Sequence, residues 1–232
     1  MRLLAIDTAS AQCSAALWID GDVRFRAVAT AREHALLLLP MIESLLAEGG
    51  IGFSALDGIA FGRGPGSFTG LRVAASVAQG MALGAGLPVV PVSDLRALAL
   101  QAHRIGVAQG IVAPDAPLDV AACLDARMGE VYAAAFAIPA AGLPPDAVET
   151  VCAPEAFRPV LRCRAVIGAG FGAYARALAP LLAEAVLVLP QVEPCAFEVA
   201  RLGAADFAAG RALDATAALP VYLRDNVAKP TA

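Results

Sequence analysis

The chain has 232 residues with a formal net charge of −4, and its arginines are scattered, so it lacks the basic stripe of a protein that grips nucleic acid unaided. Hydrophobic residues make up 59% and charged residues 16%, with a mean hydropathy of +0.68, which predicts a large core together with apolar surface reserved for a partner. Five widely spaced cysteines and two histidines argue against a disulfide framework and a structural zinc site, and leave the cysteines as small buried hydrophobes.

Residues 3–7, 13–19 and 23–29 read as three successive strands, with Asp20-Gly21-Asp22 as the hairpin turn between the last two. Asp7 interrupts the N-terminal apolar run before a signal-peptide core forms, so the chain is expected in the cytoplasm. A helix at 33–48, a strand at 58–62, a helix at 68–83, a strand at 89–92 and a helix at 94–102 follow. The charge-free stretch 73–93 is broken by Gly84, Gly86, Pro88 and Pro91, which favours a helix, a turn and a buried strand over a membrane span. Three antiparallel strands followed by alternating helices and strands is the ribonuclease-H-like order.

Residues 105–118 read as a connection, after which the opening pattern recurs. A strand at 118–125 ends in Asp125, as the first ends in Asp7, and is followed by a turn and a second strand at 130–138. Helices at 154–161, 171–179 and 195–209 and a strand at 165–167 complete a reduced second copy. The predicted fold is therefore α/β, with two ribonuclease-H-like lobes of the actin-like ATPase type, mixed sheets flanked by helices and a smaller second lobe. The boundary is expected between 1–104 and 105–232. Proteins of this architecture hold nucleotide between the lobes, an analogy of fold and not of function.

On that analogy, Asp7, Thr8 and Ser10 stand where a first phosphate hairpin would be, Asp125 in the second hairpin, and Gly168 at an adenosine-side turn. The second hairpin, Asp125-Ala126-Arg127-Met128-Gly129-Glu130, has bulky residues where glycines would admit phosphate, although Arg127 offers an anion a partner. Less generic is Gly62-Arg63-Gly64-Pro65-Gly66-Ser67-Phe68-Thr69-Gly70, with four glycines and one proline in nine residues before a helix. Gly64, Pro65, Gly66 and Gly70 imply special torsions or close backbone approaches, and the helix entry offers amides to an anion. Both readings, structural connection and anion cradle, stand at this point.

Together with Leu4-Ala5-Ile6-Asp7-Thr8-Ala9, His34 ahead of Leu38-Leu39-Pro40-Met41-Ile42, Asp125-Ala126-Arg127-Met128-Gly129-Glu130 and Pro220-Val221-Tyr222-Leu223-Arg224, this glycine turn resembles the TsaB (YeaZ) family along nearly the whole chain. The resemblance implies a cytoplasmic pseudoenzyme of tRNA modification that pairs with the threonylcarbamoyltransferase TsaD, and with TsaE in a ternary complex. It implies self-association as a dimer when TsaD is absent, and tRNA contact mainly through TsaD.

The paralogous TsaD carries two metal-binding histidines four apart on the helix after the glycine turn. Asp94 and Leu98 stand at the corresponding places here. Leucine cannot ligate a metal, so no metal and no catalytic residue is expected. No cofactor is required on this reading, although ATP or ADP in the cleft stays open.

The helices then become the informative features. Leu37, Leu38, Met41, Ile42 and Leu45 on the first, and Ala74, Ala78 and Met81 on the second, are the expected partner interface, because apolar stripes and small residues let helices approach closely. The alternatives are a nucleotide-binding ATPase or kinase of the actin-like superfamily and, with the histidine pair missing, an M22-type metallopeptidase as the least favoured.

Overall fold

A computed structural model describes residues 1–30, 33–140 and 142–224. The first lobe is built on a five-stranded sheet comprising β1 (Arg2–Asp7), β2 (Gln12–Ile19), β3 (Asp22–Ala29), β4 (Gly58–Gly64) and β5 (Val89–Ser93), in the order β3-β2-β1-β4-β5. The pairs β1–β2 and β2–β3 are antiparallel, and β1–β4 and β4–β5 are parallel. At the β2–β3 hairpin Asp20 and Gly21 both take positive φ, 48° and 109°, as a tight turn of this hand requires.

The alternation of large and small residues along these strands decides which helices pack on which face. Leu4, Ile6, Leu17, Ile59 and Phe61 point into a core closed by α1 (His34–Gly49) and α2 (Phe68–Ala85). The intervening Ala5, Ala16 and Ala60 point the other way, into a core shared with α6 (Ala196–Ala208). Small strand residues let that helix lie close: a Cβ on Gly203 of α6 would stand 2.5 Å from the Ala60 Cβ.

The second lobe repeats the plan. Its strands β6 (Leu118–Arg127), β7 (Glu130–Ile138), β8 (Thr150–Cys152), β9 (Ala165–Ile167) and β10 (Leu187–Leu189) form a sheet in the order β10-β9-β6-β7-β8, so each strand occupies the place of its counterpart in the first sheet. Between the sheets runs α3 (Asp94–Ala108), which packs Leu95, Leu98, Ala99 and Ala102 against the second sheet and Ala97 and Leu100 against the first. Two ion pairs tie α3 to α6, the first buried and the second exposed at its arginine. Arg96 meets Asp206 at 2.7 Å and also donates to the Pro144 carbonyl, and Arg104 meets Glu198 at 2.7 Å.

Several elements differ from expectation. Helix α3 continues to Ala108, into the segment read as a connection, because Gly106 packs against Val112 and Leu187 instead of breaking the helix. The expected helix at 154–161 is a 3-10 turn at Pro154–Ala156, and that at 171–179 is replaced by α4 (Ala169–Ala173) and α5 (Ala179–Glu184). Strands β8 and β10, three residues each, carry too little periodicity to be seen. Helix α6, assigned by order to the second lobe, returns to the first sheet, whose alanine face it fits. Among the described residues all strands before residue 105 lie in one sheet and all later ones in the other, but the last described α-helix crosses back. No helix among the described residues is long and apolar enough to cross a membrane.

A Cβ on Gly70 would overlap the Thr8 carbonyl, whereas one on Gly80, in the same helix, meets nothing within 4 Å. Gly70→Ala is therefore expected to destabilise the fold by about 3 kcal/mol, and Gly80→Ala to stabilise it by about 0.5–1 kcal/mol through helix propensity. Urea denaturation of the two variants separates these outcomes.

Candidate functional site

Strand β4 ends at Gly64, crosses a cis Gly64–Pro65 peptide, and enters α2 at Phe68, with the Ser67 hydroxyl accepting the Gly70 amide at 3.4 Å as N-cap. The turn wraps directly over the loop that follows β1. The amide of Ser67 donates to the Ala9 carbonyl at 2.6 Å, and the Thr8 hydroxyl donates to the Gly70 carbonyl at 2.7 Å. Gly66 lies against the Ala9 carbonyl and Gly70 against that of Thr8, so any side chain at either position would collide with backbone. Gly64 has φ of 109° and packs against the Val221 carbonyl. The amides of Gly64, Ser67, Gly70 and Leu71 are all committed to protein acceptors. Backbone-on-backbone packing accounts for these glycines without an anion.

This packing decides where the expected nucleotide contacts lie. Asp7 and Thr8 are fully buried under the turn and do not face the cleft, which corrects their assignment. Asp7 Oδ1 accepts the Ala9 amide at 2.7 Å. Gly168, with φ of 108°, presses against the Cys123 carbonyl, so its glycine is required by packing. Ser10 and Asp125 do line the cleft between the lobes, which has a volume of about 910 Å³. There Asp125 already accepts the Tyr174 hydroxyl at 3.0 Å and the Arg127 amide at 2.8 Å, and meets the Arg127 guanidinium at 3.1 Å.

Two cleft residues carried no role in the sequence reading. His34, at the start of α1, lines the cleft, and burial lowers its pKa and favours its neutral form. Glu193 lines it opposite Ser10; burial raises its carboxyl, and the Ser10 hydrogen bond pulls the other way. His34 stood inside a recognised motif, whereas Glu193, in a loop far along the chain, offered no signal. Asp94 is buried beside Asp7, and Leu98 lies in the second lobe's core. Among the described residues no group of three or more His, Cys, Asp or Glu side chains is arranged to hold a metal ion.

The cleft's remaining wall is the chain's last described segment, which straps the two lobes together. The Val221 amide donates to the Arg63 carbonyl at 2.8 Å, and the Tyr222 hydroxyl accepts from Arg72 Nε at 3.0 Å while that guanidinium stacks on Phe68. Across the cleft Arg224 pairs with Glu130 and donates to the Arg127 carbonyl at 3.4 Å. It thereby holds a hairpin tip in which Arg127, Met128 and Gly129 all have positive φ, an uncommon conformation for the first two.

The helices correct the expected interface. Leu38, Ile42 and Leu45 of α1 and Ala74 and Ala78 of α2 are buried in the first lobe's own core, and Leu37, Met41 and Met81 are half-buried against it. The sheet consumes that stripe. What both helices present outward is a different row: Leu36 at 74% and Leu39 at 48% exposure on α1, and Leu83 at 56% on α2 beside Gly80 and Gly84. The two helices form one layer on one sheet face, so these residues share a side of the molecule.

Arg224→Ala removes the strap's hold on the strained hairpin. Amide exchange at 127–130, followed by mass spectrometry, is expected to accelerate, with a stability loss of about 1 kcal/mol or less because the Glu130 partner is partly exposed.

Residues 28–158 match the family model described as TsaD, tRNA N6-adenosine threonylcarbamoyltransferase. The chain is 38% identical to the tRNA threonylcarbamoyladenosine biosynthesis protein TsaB of Escherichia coli, over 98% of this chain and 96% of that one. It is 46% identical to the protein of the same name from Haemophilus influenzae over 57% of this chain and 52% of that one. Among solved structures, YeaZ from Pseudomonas aeruginosa superposes with a TM-score of 0.82 at 36% identity, covering 96% of this chain and 99% of that one.

Proposed function

The chain belongs to the TsaB family, and from that premise we propose that it is a non-catalytic subunit required to form the threonylcarbamoyl group on the adenosine beside the anticodon of tRNAs reading codons that begin with A. It acts by binding a TsaD-type transferase, with TsaE joining the pair, and it meets tRNA mainly through that transferase. Alone it pairs with a second copy. The observation that carries this reading is the end-to-end likeness to TsaB, 38% identity over 98% of the chain.

The site geometry supports an accessory role. The turn's amides at Gly64, Ser67, Gly70 and Leu71 are spent on protein acceptors, and Leu98 occupies a place where a metal ligand would have to stand. The outward row of Leu36, Leu39 and Leu83 supports a helical partner, since apolar side chains at such exposure gain by being covered.

The partner surface is tested with Leu36→Glu and Leu83→Glu, alone and together. Their exposure means that circular dichroism and the unfolding midpoint should match the parent protein. Affinity for the purified TsaD-type partner is expected to fall about tenfold or more, and threonylcarbamoyladenosine formation in a reconstituted reaction to fall with it. Unchanged affinity and activity would refute this surface. Calorimetry with magnesium and ATP addresses the competing class: the purified chain is expected to show no turnover, and turnover would favour an ATPase.

A further inference from the structure

Two carboxyl groups meet in the interior of the first lobe with one oxygen each left over. Asp7, at the end of β1, and Asp94, opening α3, are both fully buried. Asp7 Oδ1 accepts the Ala9 amide at 2.7 Å, and Asp94 Oδ2 accepts the Gly64 amide at 2.5 Å. Among the described residues, Asp7 Oδ2 and Asp94 Oδ1 receive no N–H or O–H from any other group. Both carboxyls crowd Gly62, where a Cβ would stand 2.6 Å from Asp94 Oδ1 and 3.2 Å from the Asp7 carboxyl carbon.

Two ionised carboxylates cannot share such a place cheaply, because burial removes the water that would screen them. Among the described residues no cation pairs with either carboxylate. Arg63 on β4, whose charge acts on Asp94, makes a two-pronged pair with Glu149 at 3.2 Å. His34 on α1 is held toward its neutral form by its own burial. No third ligand joins the two carboxylates to hold a metal ion among the described residues. Two acceptors in contact and otherwise unpartnered require a hydrogen between them.

We propose that Asp7 and Asp94 share one proton, carried by Asp94 and donated to Asp7, and that this hydrogen bond fastens the glycine turn to the end of β1. The chain of contacts is continuous: the Ala9 amide to Asp7, Asp7 to Asp94, and Asp94 to the Gly64 amide. It sits at the point where β4 turns toward α2, so it fixes the base of the turn from which that helix leaves.

The electrostatics agree. Burial raises the Asp94 carboxyl well above the usual range, and the Asp7 charge raises it further, against the smaller pull of the Gly64 amide and Arg63. Asp7 is raised by burial too, with the hydrogen bond from Asp94, the Ala9 amide and His34 opposing. The other titratable groups facing the pair are Cys13 on β2, with its thiol pushed up to about 11, Cys195 before α6, pushed up to about 12, and Glu193. The thiols are neutral across the physiological range and supply no charge there.

A folded-state pKa above the unfolded value of 3.8 means that folding favours the protonated acid. The resulting stability is full below the unfolded carboxylate range and declines as pH rises toward the folded pKa of Asp94. Asn at position 94 keeps a neutral donor for Asp7 and an oxygen for Gly64, so Asp94→Asn should fold and lose that part of the decline, becoming the more stable protein at alkaline pH. Asp94→Ala leaves Asp7 Oδ2 and the Gly64 amide unpartnered and should be less stable than the parent at every pH.

The deciding measurement is the infrared difference spectrum at neutral pH between the parent protein and Asp94→Asn. A protonated-carboxyl stretch present in the parent and missing from the variant is expected. An unchanged spectrum, or a stretch removed by Asp7→Asn but not by Asp94→Asn, overturns the assignment. Should a variant fail to fold, the carbon-13 shift of the Asp94 carboxyl in the labelled parent decides instead: an acid value at neutral pH supports the shared proton, and a carboxylate value overturns it.

Discussion

The constraint on which the rest of the first lobe depends is a contact between two stretches of bare backbone. The loop after β1 presents the Thr8 and Ala9 carbonyls, and the turn from Gly62 to Gly70 lies on them so closely that glycine is required at two positions. Chain far apart in sequence is thus joined by the Ser67 amide on the Ala9 carbonyl and the Thr8 hydroxyl on the Gly70 carbonyl, with Asp7 and Asp94 beneath. From this junction α2 leaves in a fixed direction, β4 enters the sheet beside β1, and the strap from Val221 closes over Gly64. A conformation this dependent on the absence of side chains reads in sequence as a motif, which is why the turn is recognisable at all.

A duplicated plan surrounds that junction. Both sheets place their strands in the same spatial order, but the second has three strands of only three residues and short helices on its outer side. The first lobe is the fuller one, and it recruits α6 from beyond the second. As α3 and α6 are joined by two ion pairs, one of them buried, the seam between the lobes carries charge as well as apolar packing. The apolar excess of the composition divides accordingly: most of it fills four cores, and the remainder stands outward on α1 and α2.

Much of this was legible in the sequence. The first eight elements followed from alternation, turn residues and helical period, because each is long enough to show its period. The repeat of a strand ending in Asp at positions 7 and 125 announced the second lobe. What failed was decided at longer range. Of the three-residue strands, β9 is legible at 165–167 but β8 and β10 are not, and Gly106 looks like a helix breaker until Val112 and Leu187 are seen against it. The stripe expected to meet a partner is largely the one the sheet takes, and the sequence hides this because Leu36 to Leu39 are all leucine. Apolarity alone cannot say which of them the sheet takes, and it takes Leu38. At the cleft, Ser10 and Asp125 were foreseeable from their motifs. The burial of Asp7 and Thr8 was not, since it follows from the turn folding over them.

Together these features describe a molecule whose family fingerprint is a piece of structural joinery and whose exposed chemistry is sparse. Its outward helical face is suited to a partner, and the chain belongs to the TsaB family. The most direct test of the central claim is mass spectrometry of bulk tRNA from cells in which the gene for this chain is deleted. The account predicts that threonylcarbamoyladenosine disappears and returns when the gene is restored; an undiminished level in the deleted strain would contradict it.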